Sequence, residues 1–180
     1  PELCVPMSLS ETLRYGENPH QPAAVYTDDS LSESSGMGVG RAKQHHGKEM
    51  SYNNYLDAEA AFSCVSDFPA EDATCVIVKH TNPCGVASAS GSDGDILEAY
   101  RQAVRADPIS AFGGIVAFNC EFTEEMAREL REFRSPTDDE TRMFYEIVIA
   151  PSYTKEGLEV LKGKSKNLRI LEANPRTPSS

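Results

Sequence analysis

The sequence predicts an α/β domain in which helices pack on a mainly parallel or mixed sheet. Short apolar runs rich in β-branched residues, such as "ATCVIVK" (73–79) and "GIVAFN" (114–119), are the mark of strands buried on both faces. Between such runs lie stretches with apolar residues at helical spacing, bounded by capping residues or proline. The two kinds of segment alternate along most of the chain, and alternation of this kind lays helices against a sheet.

Taken in order, residues 1–12 read as a linker or tail, and "AAVYT" (23–27) as a strand. The Ser/Gly-rich "DDSLSESSGMGVG" (28–40) reads as a flexible connection. "YLDAEAAFSCVSDF" (55–68) sets Leu56, Ala60, Ala61 and Val65 near helical spacing, with Asn53 or Asn54 available as N-cap. After the 73–79 strand, "DGDILEAYRQAVRAD" (93–107) is amphipathic through Ile96, Leu97, Tyr100, Ala103 and Val104, and Pro108 stops it. The 114–119 strand leads to "TEEMARELREF" (123–133), where Thr123 caps and two acids meet the positive end of the helix dipole. "YEIVIA" (145–150), "KEGLEVLKG" (155–163) and "LRILEA" (168–173) repeat strand, helix, strand. The tail from 174 to 180 reads as disordered, and no internal repeat is found.

The chain has 180 residues, of which 39% are hydrophobic and 25% charged, an ordinary globular composition with room for one substantial domain. It begins at Pro1 rather than Met, which reads as a processed product or a segment of something longer. A net charge of −11 argues against nucleic acid, whose binding needs a basic face. The basic residues nevertheless cluster: "RAKQHHGK" (41–48) contains no acid, and Arg14 and Lys79 lie in acid-poor stretches. Local basic pockets in an acidic protein suit a small anionic ligand, although for 41–48 alone chance clustering on a solvated loop is the better reading. No stretch is apolar for long enough to span a bilayer and no signal-peptide pattern opens the chain, so an intracellular soluble protein is expected. Five widely spaced cysteines, odd in number, fit reduced thiols rather than a disulfide framework.

Two stretches carry candidate chemistry. "VIVKHTNPCGVA" (76–87) runs a buried strand into Lys79 and His80 and then into Asn82-Pro83-Cys84-Gly85, a sequence that suits a turn. Histidine takes a proton near neutrality, and lysine steadies developing negative charge. An ordinary strand terminus with its charges in water would look the same. In "LRYGENPHQ" (13–21), Arg14 offers a fork for phosphate or carboxylate and Tyr15 an aromatic face, or else the segment simply docks on the domain. Gly113 and Gly114 of "SAFGG" permit close backbone approach to a ligand, but they precede their strand. The rule that ligands gather at the carboxyl ends of strands therefore does not place them beside Lys79. Zinc is set aside: Pro83-Cys84 is followed directly by Gly-Val-Ala-Ser with no second cysteine at motif spacing, and His80 is followed two residues later by Asn82 where a deaminase signature needs an acid.

Read together and in this order, "LRYGENPHQ", "GKEMSYNN", "VKHTNPCGVA", "DPISAFGGIVAFN" and "EIVIAPSY" resemble the AICAR transformylase/IMP cyclohydrolase family of purine biosynthesis. "FRSPTDDETRMFYEIV" is similar to plant and green-algal members. The resemblance implies transfer of the formyl group of 10-formyltetrahydrofolate to the 5-amino group of AICAR, with a separate IMP cyclohydrolase domain in the parent protein. It implies a transformylase region of two cytidine-deaminase-like halves without the zinc site, and residues 13–173 correspond to the first half. It assigns His80 as proton acceptor and Lys79 as the stabilising lysine, with Arg14, Tyr15, Gly113 and Glu146 on substrate-binding positions. It also implies a homodimer with composite sites, no catalytic metal and a location in cytosol or plastid stroma. The fragment alone is expected to be inactive, since the second half supplies most of the folate pocket. A non-catalytic nucleotide-binding or assembly module that keeps the fold, and a zinc-dependent deaminase-like hydrolase, are the competing readings.

Overall fold

The computed structural model describes residues 4–28, 38–90 and 95–174. Strands β1 (Ser8–Leu13) and β2 (Ala23–Thr27) pair as an antiparallel hairpin of their own. A single 3₁₀ turn, Val39–Arg41, leads into β3 (Lys43–His46) and α1 (Tyr52–Ser66). Strands β4 (Ala73–Lys79) and β5 (Asn82–Ala89) follow, then α2 (Ile96–Ala106) and the one-turn α3 (Pro108–Ala111). The chain continues through β6 (Gly114–Phe118), α4 (Glu124–Glu132), β7 (Tyr145–Ala150), α5 (Lys155–Lys162) and β8 (Arg169–Glu172).

Six of these strands form one mixed sheet in the order β3-β8-β7-β6-β4-β5. Strands β6, β7 and β8 run parallel, whereas β4 is antiparallel to both β5 and β6, and β3 is antiparallel to β8. The apolar runs are the inner strands because helices cover both faces. On one face α1 packs Phe62 and Val65 against Val76, Val78, Ile115, Ile147 and Ile149. On the other face α2, α4 and α5 bring Tyr100, Val104, Met126, Leu130 and Leu161 against Ile77, Val116 and Val148. Successive residues of β4 thus serve opposite layers, as the pleat demands. The sheet of the sequence reading is present and mixed. No helix among the described residues is long and apolar enough to cross a membrane.

Several boundaries differ from expectation for identifiable reasons. Helix α1 is capped by Ser51, not Asn53 or Asn54. The Ser51 hydroxyl accepts from the Asn54 N–H at 3.3 Å, and the Asn54 side chain accepts from the Ser51 N–H at 3.1 Å, a reciprocal box. Thr123 caps α4 as expected, with Glu124 and Glu125 in the first turn. Pro108 does end α2, and it then opens α3, whose Ser110 N–H is met by Asp107. Residues 8–12, read as linker, belong to β1. Most of the 28–40 connection and nearly all of the 174–180 tail lie outside the described residues.

The largest difference lies after Lys79. Asn82-Pro83-Cys84-Gly85 does not turn the chain away; it opens strand β5. The turn is His80-Thr81, with φ of 52° and 62°, the left-handed pair that a two-residue hairpin of matching twist requires. Pro83 is tolerated because β5 is the edge strand of the sheet. Cys84 is the extra residue of a bulge between the pairs Ile77–Gly85 and Val78–Pro83. Gly85 is dictated by packing, since a Cβ there would stand 2.0 Å from the Ala103 carbonyl oxygen of α2.

Candidate active site

Because β4 and β6 are antiparallel, the carboxyl end of β4 lies beside the amino end of β6, with Val78 paired to Ile115. Lys79 and the Gly113-Gly114 turn therefore meet, although the crevice rule read from sequence kept them apart. The Lys79 ammonium donates to the Phe112 carbonyl at 2.7 Å. Gly113 adopts φ +77°, and its N–H donates to the Phe144 carbonyl at 2.8 Å. A Cβ at Gly113 would lie 3.9 Å from the Lys79 ammonium and 3.8 Å from the Phe144 ring. Glycine is thus required there by the left-handed backbone rather than by a clash.

His80 is exposed at the tip of the β4–β5 turn. Its carbonyl accepts from Thr81 Oγ1 and from Asn82 Nδ2, each at 2.7 Å. The Thr81 N–H donates to Asp57 Oδ1 of α1 at 2.8 Å, which fixes the turn from below. Burial first, then the Asp107 charge, raises the Cys84 thiol, and its Sγ lies 3.5 Å from the Ile77 carbonyl oxygen. No cysteine is in a disulfide. Among the described residues no group of three or more His, Cys, Asp or Glu side chains could hold a metal ion.

Arg14, Tyr15 and Glu146 come together in a cavity of about 300 Å³, which Lys48, Phe144 and Arg169 also line. The Arg14 guanidinium lies 5.0 Å from the centroid of the Tyr15 ring. Backbone bonds dock this segment on the start of α1: Arg14 N–H to the Met50 carbonyl at 3.3 Å and Tyr52 N–H to the Tyr15 carbonyl at 3.0 Å. Glu146 faces a partner the sequence reading missed. Arg169, buried in β8, donates to the Glu146 carboxylate at 3.0 Å and to the Glu49 carbonyl at 3.0 and 3.1 Å. The available signal was a lone arginine inside the apolar run "LRIL". His45 and His46 of the basic stretch are used within the fold, against Glu172 at 2.8 Å and the Ser165 carbonyl at 3.1 Å.

The sheet thus collects two groups of residues at one end. Lys79 and Gly113 form one; Arg14, Tyr15 and Glu146 form the other. Phe144 touches both, as a wall of the cavity and as the neighbour of Gly113. His80 and Lys79 do not line the cavity.

A sequence profile of the AICARFT/IMPCHase bienzyme matches residues 1–180. The chain belongs to the AICARFT/IMPCHase bienzyme family. It is 46% identical over 171 residues to the bifunctional purine biosynthesis protein PurH of Persephonella marina, covering 95% of this chain and 30% of that protein. It is 46% identical over 170 residues to PurH of Aquifex aeolicus, covering 94% and 30%. It is 45% identical over 175 residues to PurH of Bradyrhizobium diazoefficiens, covering 94% and 29%. The chain therefore spans under a third of the length of these relatives.

Proposed function

We propose that this chain is the part of a folate-dependent AICAR formyltransferase that holds the nucleotide and carries the proton-transfer pair. What supports the reading best is that five of the six residues the family resemblance assigns gather at one end of the sheet, in two groups joined by Phe144, from segments as distant in sequence as Arg14 and Glu146. Arg14 anchors the monophosphate with its fork. Tyr15 and Glu146 hold the remainder of AICAR, with Arg169 fixing the Glu146 carboxylate. Gly113 lets the backbone approach the base.

The 5-amino group of AICAR is conjugated to a carboxamide and is a weak nucleophile. His80 accepts its proton as the bond from that nitrogen to the formyl carbon forms. Lys79 donates to the formyl oxygen as it gains charge. As the bond from the formyl carbon to N10 of the folate breaks, N10 takes a proton and tetrahydrofolate leaves. The sheet holds Lys79 in place through its strand, and Asp57 holds the turn that carries His80. In the parent protein we assign 10-formyltetrahydrofolate as co-substrate, IMP cyclohydrolase as the companion activity, a homodimer as the working form and no catalytic metal. The fragment alone turns over negligibly.

A chimaera tests this. Residues of this chain replace the matching 170-residue segment of the Aquifex aeolicus PurH, and formyl transfer is followed in a single turnover alongside AICAR binding. Transfer within about tenfold of the parent, roughly 1.4 kcal/mol in the barrier, is expected. AICAR binding without transfer would replace this reading by the non-catalytic nucleotide-binding module.

A further inference from the structure

A second cavity, of about 250 Å³, shares Phe144 and Tyr145 as wall with the Arg14 cavity and is lined by Arg131, Arg142 and Lys164. None of these three cations has a role in the proposed formyl transfer. They arrive from three segments: Arg131 from α4, Arg142 from the loop before β7, and Lys164 from the turn after α5. Their convergence on one space is therefore a product of the tertiary fold and not of a local basic run.

The charges in this cavity are poorly matched. Lys164 is largely withdrawn from solvent, donates to the Leu130 carbonyl at 2.9 Å and lies 6.0 Å from the centroid of the Tyr145 ring. Arg131 donates to the Val160 carbonyl at 3.1 Å. These bonds cap the ends of α4 and α5, but each uses one N–H of a group that carries three or five. Arg142 pairs with Glu132 at 2.7 Å on the exposed rim. Among the described residues neither Arg131 nor Lys164 forms an ion pair. Burial, then Arg142, lowers the Lys164 pKa to about 8, and of the neighbouring charges only Glu132 opposes them. Three cations facing one carboxylate in a partly desolvated space are held at a cost that a bound anion would relieve.

We infer that the Arg131–Arg142–Lys164 cavity binds a small tetrahedral oxyanion, either free phosphate or sulfate or the phosphate group of a monoester. Guanidinium forks present paired N–H donors to such an anion, and the ammonium supplies a point charge between them. Met143, Phe144 and Leu168 give the same cavity apolar wall for whatever the phosphate carries.

Isothermal titration of the 180-residue chain with sodium sulfate at neutral pH tests this, with phenyl phosphate as the ester arm. Because Arg14 offers an oxyanion its own fork in the neighbouring cavity, the titrations are run on the Arg14→Ala chain, where saturable one-to-one binding is expected. Lys164→Gln, which keeps a donor for the Leu130 carbonyl, and Arg142→Gln, at an exposed position, should each weaken sulfate roughly tenfold or more. Phenyl phosphate binding at least tenfold more tightly than sulfate identifies a monoester as the occupant, and equal affinity identifies the free ion. Non-saturable heats, indifference to both glutamine variants, or loss of binding in Arg14→Ala would each overturn the inference.

Discussion

The Thr81 backbone N–H donates to Asp57 Oδ1 at 2.8 Å, tying the tip of the β4–β5 hairpin to helix α1. Thr81 is β-branched and sits at φ 62°, a conformation that costs such a residue on the order of 1–2 kcal/mol. The carboxylate therefore holds a turn that the sequence does not favour by itself. Asp57→Ala should lower stability by roughly 1–2 kcal/mol, the usual scale for a hydrogen bond to a charged group discounted for partial exposure. In the PurH chimaera it should also slow formyl transfer while leaving AICAR affinity near normal. Urea denaturation and single-turnover rates check the two parts, and an unchanged rate would separate the turn from His80 placement.

Gly85 exposes a different constraint. A methyl group there would sit 2.0 Å from the Ala103 carbonyl oxygen, and that oxygen belongs to helix backbone and cannot swing aside. Gly85→Ala must push α2 off β5 and should cost about 3 kcal/mol or more, the upper part of the range for overpacking. A urea midpoint indistinguishable from that of the unmodified chain would show that the helix shifts at little cost.

These two residues also explain how far the sequence could be read. The layered α/β arrangement was legible because β4, β6 and β7 are nearly continuous apolar runs and α2 and α4 are strongly amphipathic. Strand β5 was not. Its Pro, Gly and Asn carry turn propensity, and only the edge position and the approach of α2 make them acceptable in a strand. His80-Thr81 lacks the Asn-Gly signature of such turns, so the hairpin was hidden. The meeting of Lys79 with Gly113 depends on β4 running antiparallel to β6, a pairing direction that no local pattern encodes. Arg169 was hidden for the same reason: its partner Glu146 lies on the neighbouring strand.

Lys164 predicts a pH dependence. Burial, and after it Arg142, lowers its pKa from the ordinary 10.5 to about 8, with Arg131 adding to the effect and Glu132 opposing it. Tyr145 also faces the ammonium. Between those two values the unfolded chain holds a proton that the folded chain has released, so this group makes stability rise with pH across that window. Buried Tyr100 and Tyr145, whose phenol groups are raised chiefly by burial, act in the opposite sense at the alkaline end. The observable is therefore a difference. In buffer without phosphate or sulfate, the stability gap between the unmodified chain and Lys164→Gln should move in favour of the unmodified chain from about pH 8 to 10. A constant gap would mean that Lys164 titrates normally.

If Arg14 holds the monophosphate, Arg14→Ala in the chimaera should weaken AICAR much more than its dephosphorylated nucleoside. Loss of a charge-assisted contact to phosphate is expected to cost about 1.5–3 kcal/mol, roughly ten- to a hundredfold in affinity. Titration of both ligands into both proteins gives the comparison. Equal losses would leave Arg14 as a residue that merely docks its segment beside Tyr15.

The strongest consequence concerns the turn itself. His80 is exposed at the tip of a hairpin whose strand is locked in the sheet and whose N–H is tied to α1, so its removal should leave the fold intact. In the chimaera His80→Ala should slow the chemical step by at least about a hundredfold, the lower bound for losing a positioned general base. AICAR affinity should fall far less, because His80 does not line the Arg14 cavity and the role proposed for it lies mainly in the transition state. Lys79→Ala should show the same division between rate and binding. Its effect should be the larger if the ammonium meets the developing oxyanion, since that interaction strengthens most as charge forms. The Phe112 carbonyl, which now accepts from Lys79, would be left to water at an exposed position and adds little to the loss. Single-turnover formyl transfer and separate AICAR titration distinguish the two quantities. A His80→Ala protein with near-normal transfer would make Lys79-His80 no more than the end of a strand.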